Sequence, residues 1–284
     1  MENNNSQESE FRFETKNLHY AFNVEYYDNV SFTKPFWDYR ANKSIIVFNK
    51  YEEKRSDFFA SRNRAFLKIS PPKLSVYKND DYRFSLKTAY PGLLIGLGYA
   101  HGYGGKGEIG LGFSFDYVTG LPYIPGSSIK GTLRSAFSHK DYVSLVLREN
   151  LKLTGDVDIE KLEEEIFEGV VEETVNNKLQ KKNLPMCQRD TFYDSYPVVT
   201  DNNSIIALEA ITPHGADETK NPVPLTLVKV KPNVEFEFSF SLHDGIISAE
   251  NKKELFKIIL KDFGIGAKTN VGFGVLSDET KKAD

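Results

Sequence analysis

The sequence predicts an α+β fold with an antiparallel sheet backed by helices, and three stretches carry that prediction. Val234, Phe236, Phe238, Phe240 and Leu242 alternate with Glu235, Glu237, Ser239 and Ser241, the period of a strand with one buried face. Ile129, Leu133, Ala136 and Phe137 recur at helical spacing, as do Leu255, Ile258, Ile259 and Phe263. Strand and helix patterns therefore share one chain, joined by glycine-rich and proline-rich stretches.

A chain of 284 residues holds one large domain or two modest ones and can bury roughly three quarters of its unfolded surface. The 21 Phe and 15 Tyr indicate a well-packed core. The single cysteine, Cys187, excludes an internal disulfide framework and fits a reducing, cytoplasmic setting. No apolar run is long enough for a membrane span, and MENNNSQESE lacks the apolar core of a signal peptide. The net charge of −4 argues weakly against a free-standing nucleic-acid binder, yet leaves room for a local basic groove.

In chain order, residues 1–10 are expected to be disordered. Residues 11–90 form an N-terminal extension dense in aromatics, with Trp37 expected in the core or at a subunit contact. A short helix is expected over Phe58 to Phe66 and a strand near Tyr82 to Ala89. From Leu93 to Gly120 the chain is rich in glycine. Gly102, Gly104 and Gly107 match the dinucleotide spacing, but Phe113, Phe115 and Tyr117 then alternate as a strand where that motif requires a helix. Nor is the stretch a P-loop, because Ala100 stands where the first glycine is needed. A loop or hairpin approaching a ligand backbone or a partner fits better.

Residues 120–134, GLPYIPGSSIKGTLR, are the organising stretch. Pro122 and Pro125 hold the backbone extended, Gly126 permits a reversal, and Ser127 or Ser128 is a suitable N-cap. The helix start offers free amides, and Lys130 and Arg134 follow four apart on a face beside Gly131. Lys130 sits in the first turn, where the dipole alone prefers an acid, so an anionic partner would justify it. The plainer alternative is an ordinary loop-to-helix junction with a solvated lysine.

A helix is expected over Tyr142 to Leu153. Residues 155–185 read as a charged helical insert with a mobile tail, its glutamates a solvated face and not a catalytic pair. Strands are expected over 190–199, 205–211, 223–230 and 234–242, with the loop 212–224 carrying His214, Lys220 and Asn221. Ser248 is a good N-cap for a helix over 249–261 that Gly264 stops. Asp262-Phe263-Gly264 spells the kinase metal-binding triplet by chance, since no catalytic-loop motif precedes it.

Gly264, Gly266, Gly272 and Gly274 then frame Lys268, Thr269 and Asn270 in the pattern G-Φ-G-x5-G-Φ-G. Glycines around a Lys-Thr-Asn centre can bring backbone amides close to a phosphate. This loop resembles the glycine-rich loop of the RAMP superfamily of CRISPR-associated proteins, and residues 123–134 are similar to a segment its backbone-type members share. Thr212-Pro213-His214 with Asn221-Pro222 extends the resemblance to members that serve type III-B (Cmr) effector complexes.

The resemblance implies a ferredoxin-like (RRM-like) core in a single domain. It also implies a place in a filament of related subunits that grips CRISPR RNA near its 3′ end and the paired target RNA. Binding is implied here and cleavage in a sister subunit, so no metal, cofactor or catalytic residue is expected. The RNA-contacting set would be Gly126, Ser127, Ser128, Lys130, Gly131 and Arg134, with Gly264, Gly266, Lys268, Thr269, Asn270, Gly272 and Gly274. His101, Lys106, His214, Lys220 and Asn221 are candidates for RNA or subunit contact. About three neutralised phosphates would give a single-strand salt slope of roughly −2. Two rivals stand beside this reading: a metal-independent ribonuclease using His101 or His214, and a purely structural subunit whose glycine loops serve packing.

Overall fold

The computed structural model describes residues 11–28, 36–38, 43–45, 58–73, 82–99, 101–102, 107–175, 178–199, 204–211 and 225–278. Expectations placed on Lys106, His214, Lys220, Asn221, the side chain of Trp37 and residues 1–10 lie outside the described residues. The chain divides into two compact units, one of Met1–Lys73, Gly96–Pro122 and Val199–Lys229, the other of Leu74–Ile95, Tyr123–Val198 and Val230–Asp284.

In chain order the elements begin with α1 (Leu18–Asn23), β1 (Phe36–Asp38), β2 (Lys43–Ile45), α2 (Phe58–Phe66) and β3 (Tyr82–Thr88). Next come α3 (Gly126–Phe137), α4 (Lys140–Leu145), α5 (Ile159–Glu163), β4 (Val170–Val175) and β5 (Lys178–Asn183). β6 (Thr191–Phe192), β7 (Tyr196–Pro197), β8 (Ile206–Ile211), β9 (Leu225–Val230), β10 (Glu235–Ser241), α6 (Ala249–Phe263) and β11 (Leu276–Ser277) complete the chain.

The second unit is built on an antiparallel sheet in the order β11-β3-β10-β6, with β7 also paired to β10. β10 is central because its alternation holds: Phe236, Phe238 and Phe240 are fully buried. Phe84 of β3 stacks between Phe238 and Phe240 at 5.5 and 5.7 Å. The other face of the same strand pair is polar, with Arg83 bridging to Glu237 and Lys87 to Glu235. Ile129, Leu133, Ala136 and Phe137 of α3 are all buried, as their spacing predicts. Phe256 of α6 packs on Phe240 and Phe192 at 5.3 and 5.6 Å. The hydroxyl of Ser248 accepts from the Asn251 amide, capping α6 as expected, and the helix stops at Gly264.

Three local expectations are corrected. α3 begins at Gly126 with Pro125 in the cap position, so Ser127 and Ser128 lie inside the first turn and neither is the cap. The insert is helical only to Glu168. Gly169 then turns left-handed at φ +67° and β4 and β5 form a hairpin. Val170, Val171, Thr174 and Val175 favour extended backbone, and Glu173, one of the charges that read as a helix face, pairs across the hairpin with Lys182 at 2.8 Å. Finally, Phe113 to Tyr117 forms one isolated bridge, Phe115 to Pro122, and no strand. The backbone is drawn too close for a ladder there: a Cβ on Gly112 would stand 2.5 Å from the Tyr99 carbonyl oxygen.

The first unit has an aromatic core under α1 and α2. Phe22, Tyr26 and Phe66 are buried, and Phe22 meets Phe66 and Phe115 at 5.5 Å each.

Candidate nucleic-acid interface

The start of α3 is held by an acid from a distant part of the chain. The Gly126 amide donates to the Asp194 carboxylate at 2.7 Å, which answers the orphan amide and the positive end of the dipole together. Gly126 is required here, because a Cβ would lie 2.2 Å from the Phe192 carbonyl oxygen. Ser127, Ser128 and Gly131 are exposed. Lys130 is half-buried, its ammonium 5.6 Å from the centre of the Phe192 ring. Ser127, Lys130, Glu168, Arg189 and Phe192 line a cavity of about 280 Å³. Mixed charge on that wall makes it a weaker anion site than a bare helix start with a lysine suggests.

Arg134 is committed elsewhere. Its guanidinium donates to Glu168 at 2.6 Å and Glu163 at 3.2 Å. Those carboxylates push its pKa above the ordinary value, Glu168 most strongly. Acids of the insert, 29 and 34 positions later, therefore compete with any phosphate for Arg134. The same insert satisfies Lys181 through Glu164 and Lys161 through Glu172.

The glycine loop is spent largely on itself and its neighbours. The Ile265 amide donates to Gly274, the Gly274 amide to Gly92, and the Ala267 amide to Leu94, at 2.9, 2.8 and 2.8 Å. A Cβ on Gly274 would fall 1.8 Å from the Ile265 carbonyl oxygen, and one on Gly266 2.4 Å from that of Leu94. Gly264, Gly266, Gly272 and Gly274 all have positive φ. Gly264, Gly266 and Gly274 serve close backbone approach within the protein, and Gly272 a left-handed turn, so the loop's glycines do not all serve to present amides to phosphate. What the loop displays is its tip. Lys268, left-handed at φ 60°, Thr269 and Asn270 are exposed, and Thr269 and Asn270 open a short 3-10 turn whose first amides lack partners within the turn.

The two corners do not meet. The α3 start belongs to the β6–β7 edge, where Ile124 bridges to Ser195, while the glycine loop leads into β11 at the opposite edge. β6 and β11 are three strand spacings apart, roughly 14 Å. The corners form two separate donor clusters at opposite edges of one sheet.

His101 is a packing residue of the first unit. Its ring stacks on Phe22 at 3.7 Å, and its nitrogens lie 2.9 Å from the Ile109 carbonyl and 3.1 Å from that of Phe22. Main-chain oxygens thus occupy both sites that a proton-transfer role would need. Sequence reasoning missed Asp194, Arg189 and Phe192, since nothing local distinguishes an acid that caps a helix 68 residues away. It missed equally the buried group of Lys252, Asp190 and Glu165. Among the described residues no helix is long and apolar enough to cross a membrane, and no cluster of His, Cys, Asp and Glu could hold a metal ion.

Comparison with known proteins matches residues 85–277 to the RAMP superfamily. The CRISPR system CMR subunit Cmr6 of Saccharolobus solfataricus is 26% identical over 168 residues, covering 58% of this chain and about half (47%) of that relative. The CRISPR system Cmr subunit Cmr6 of Pyrococcus furiosus is 22% identical over 293 aligned positions, covering 83% of this chain and 82% of the relative. In fold the chain is similar to one in the type III-B Cmr-beta structure bound to cognate target RNA. That likeness has a TM-score of 0.56 at 22% identity and covers 81% of this chain and 75% of the other.

Proposed function

This chain belongs to the RAMP superfamily, and from that premise we propose that it is a non-catalytic, RNA-binding subunit of a type III-B CRISPR effector complex in the cytoplasm. It grips the guide RNA on its 3′ side together with paired target RNA, beside other RAMP-type subunits. The observation that carries this is the alignment with a Cmr6 subunit through 83% of this chain and 82% of the relative. We read the order β3, α3, β6–β7, β10, α6, β11, with sheet order β11-β3-β10-β6, as a ferredoxin-like (RRM-like) core bearing insertions.

Recognition is independent of base sequence. Ser127, Ser128 and Lys130 receive backbone phosphates or sugar hydroxyls at one sheet edge, and Lys268, Thr269 and Asn270 do so at the other. Such contacts position a strand without reading it, which suits a protein that must accept any guide. Lys130→Ala combined with Lys268→Ala is expected to weaken guide retention in the assembled complex and lower the salt slope by roughly 1.4. Unchanged RNA occupancy would refute these roles.

The consumption of the glycine-loop amides within the protein favours one second reading, a subunit that touches only protein. Ultraviolet crosslinking of the assembled complex separates the two, since a packing subunit yields no crosslink to RNA. Labelled repeat RNA incubated with the purified chain in EDTA is expected to stay intact. Cleavage abolished by His214→Ala would replace the proposal with a nuclease.

A further inference from the structure

No motif accounts for residues 11–73, yet the first unit has a groove there of about 710 Å³, within the range that takes a nucleotide-sized ligand. Two irregular segments, 11–16 and 69–73, form its walls. Arg12, Lys16, Lys68 and Lys73 line it, with Glu14 the one acid among the described lining residues. All four cations are exposed, and Arg12, Lys16 and Lys73 alone outnumber Glu14 in a chain whose net charge is −4.

The wall is preformed. The Glu14 amide donates to Glu25 at 3.1 Å, and Asn17 caps α1 directly after the segment. Phe13 meets the buried Phe66 edge-on at 6.0 Å, and Phe11 lies over the Arg62 guanidinium at 4.0 Å. Phe11 and Phe13 are each left half-exposed beside the cations. Clustered positive charge beside partly open aromatic faces is the arrangement that holds unpaired nucleic acid, phosphates on the cations and bases on the rings.

We infer that this groove binds a single RNA strand. The choice of RNA over DNA rests on the type III-B assignment; the preference for a polyanion rests on the groove alone. The site is separate from Lys130 and Lys268, so the two can fail independently.

Fluorescence anisotropy of the full chain with a labelled, unstructured oligouridylate tests it. Replacing Arg12, Lys16, Lys68 and Lys73 together by Glu is expected to weaken binding about tenfold or more. The slope of log K against log salt should lose roughly 3. Circular dichroism and melting confirm that the variant is folded. A milder pair, Arg12→Gln with Lys16→Gln, should remove about half of that slope, and Phe13→Leu should weaken binding without changing it. Equal affinity in the folded variants, or no binding by the wild-type chain at low salt, overturns the inference. So does tighter binding of an oligothymidylate of the same length. Reversal variants that keep RNA affinity but no longer co-purify with neighbouring subunits would assign the groove to protein instead.

Discussion

Lys252 and Asp190 form an ion pair sealed from solvent, ammonium to carboxylate 2.8 Å, with side chains 2% and 3% exposed. Glu165 lies 2.9 Å from the same nitrogen, and the His243 carbonyl accepts from it at 2.8 Å. One lysine therefore joins α6, the chain leading into β6, and the helical part of the insert. Removing it strands two carboxylates out of water. Lys252→Met is expected to cost about 3 to 5 kcal/mol, read as a lower urea midpoint. A loss under about 1 kcal/mol would show that the cluster is not a structural hinge-pin.

The glycines of the two motifs differ in what they do, and alanine separates them. Gly274→Ala places a methyl group 1.8 Å from the Ile265 carbonyl at φ +74°, so the variant is expected to unfold the loop and lower the melting temperature sharply. Gly131 has nothing within 4 Å and sits inside α3, so Gly131→Ala should stabilise by about 0.5 to 1 kcal/mol. If Gly131→Ala is stabler but holds guide RNA less well, Gly131 touches RNA.

Arg134 and Lys130 should part company in the same way. Exposed ion pairs contribute little, so Arg134→Ala is expected to cost under about 1 kcal/mol and to leave the salt dependence of RNA binding unchanged. A slope reduced as much by Arg134→Ala as by Lys130→Ala would restore Arg134 to the RNA surface.

Asp194 takes the place of a helix cap. Asp194→Ala removes both the acceptor for Gly126 and a negative charge at the helix start, and is expected to cost about 1 kcal/mol in thermal or urea unfolding. Asp194→Asn should recover part of that loss by keeping the hydrogen bond. No change in either variant would mean that the α3 start is satisfied by water.

Most of the sheet and its helices was legible from the chain. β10, α6 with its Ser248 cap, and the buried stripe of α3 each follow from patterns a few residues long. The β4–β5 hairpin was not, because glutamates and lysines that pair across strands have the composition of a solvated helix face. The candidate site was half legible. Ser127, Ser128, Lys268, Thr269 and Asn270 are exposed and Lys130 is half-buried, whereas Arg134 and most of the loop amides find partners inside the protein.

By itself, the sequence determined which residues alternate, where two helices run, and that two glycine-bearing corners exist, since these depend on neighbours within a turn or a strand. Only the tertiary structure decided that the corners lie at opposite edges of one sheet, that Asp194 closes the first, and that Gly92 and Leu94 close the second. Those outcomes depend on which distant backbone comes within hydrogen-bonding reach, and reach across a fold is set by packing, not by the order of residues along the chain.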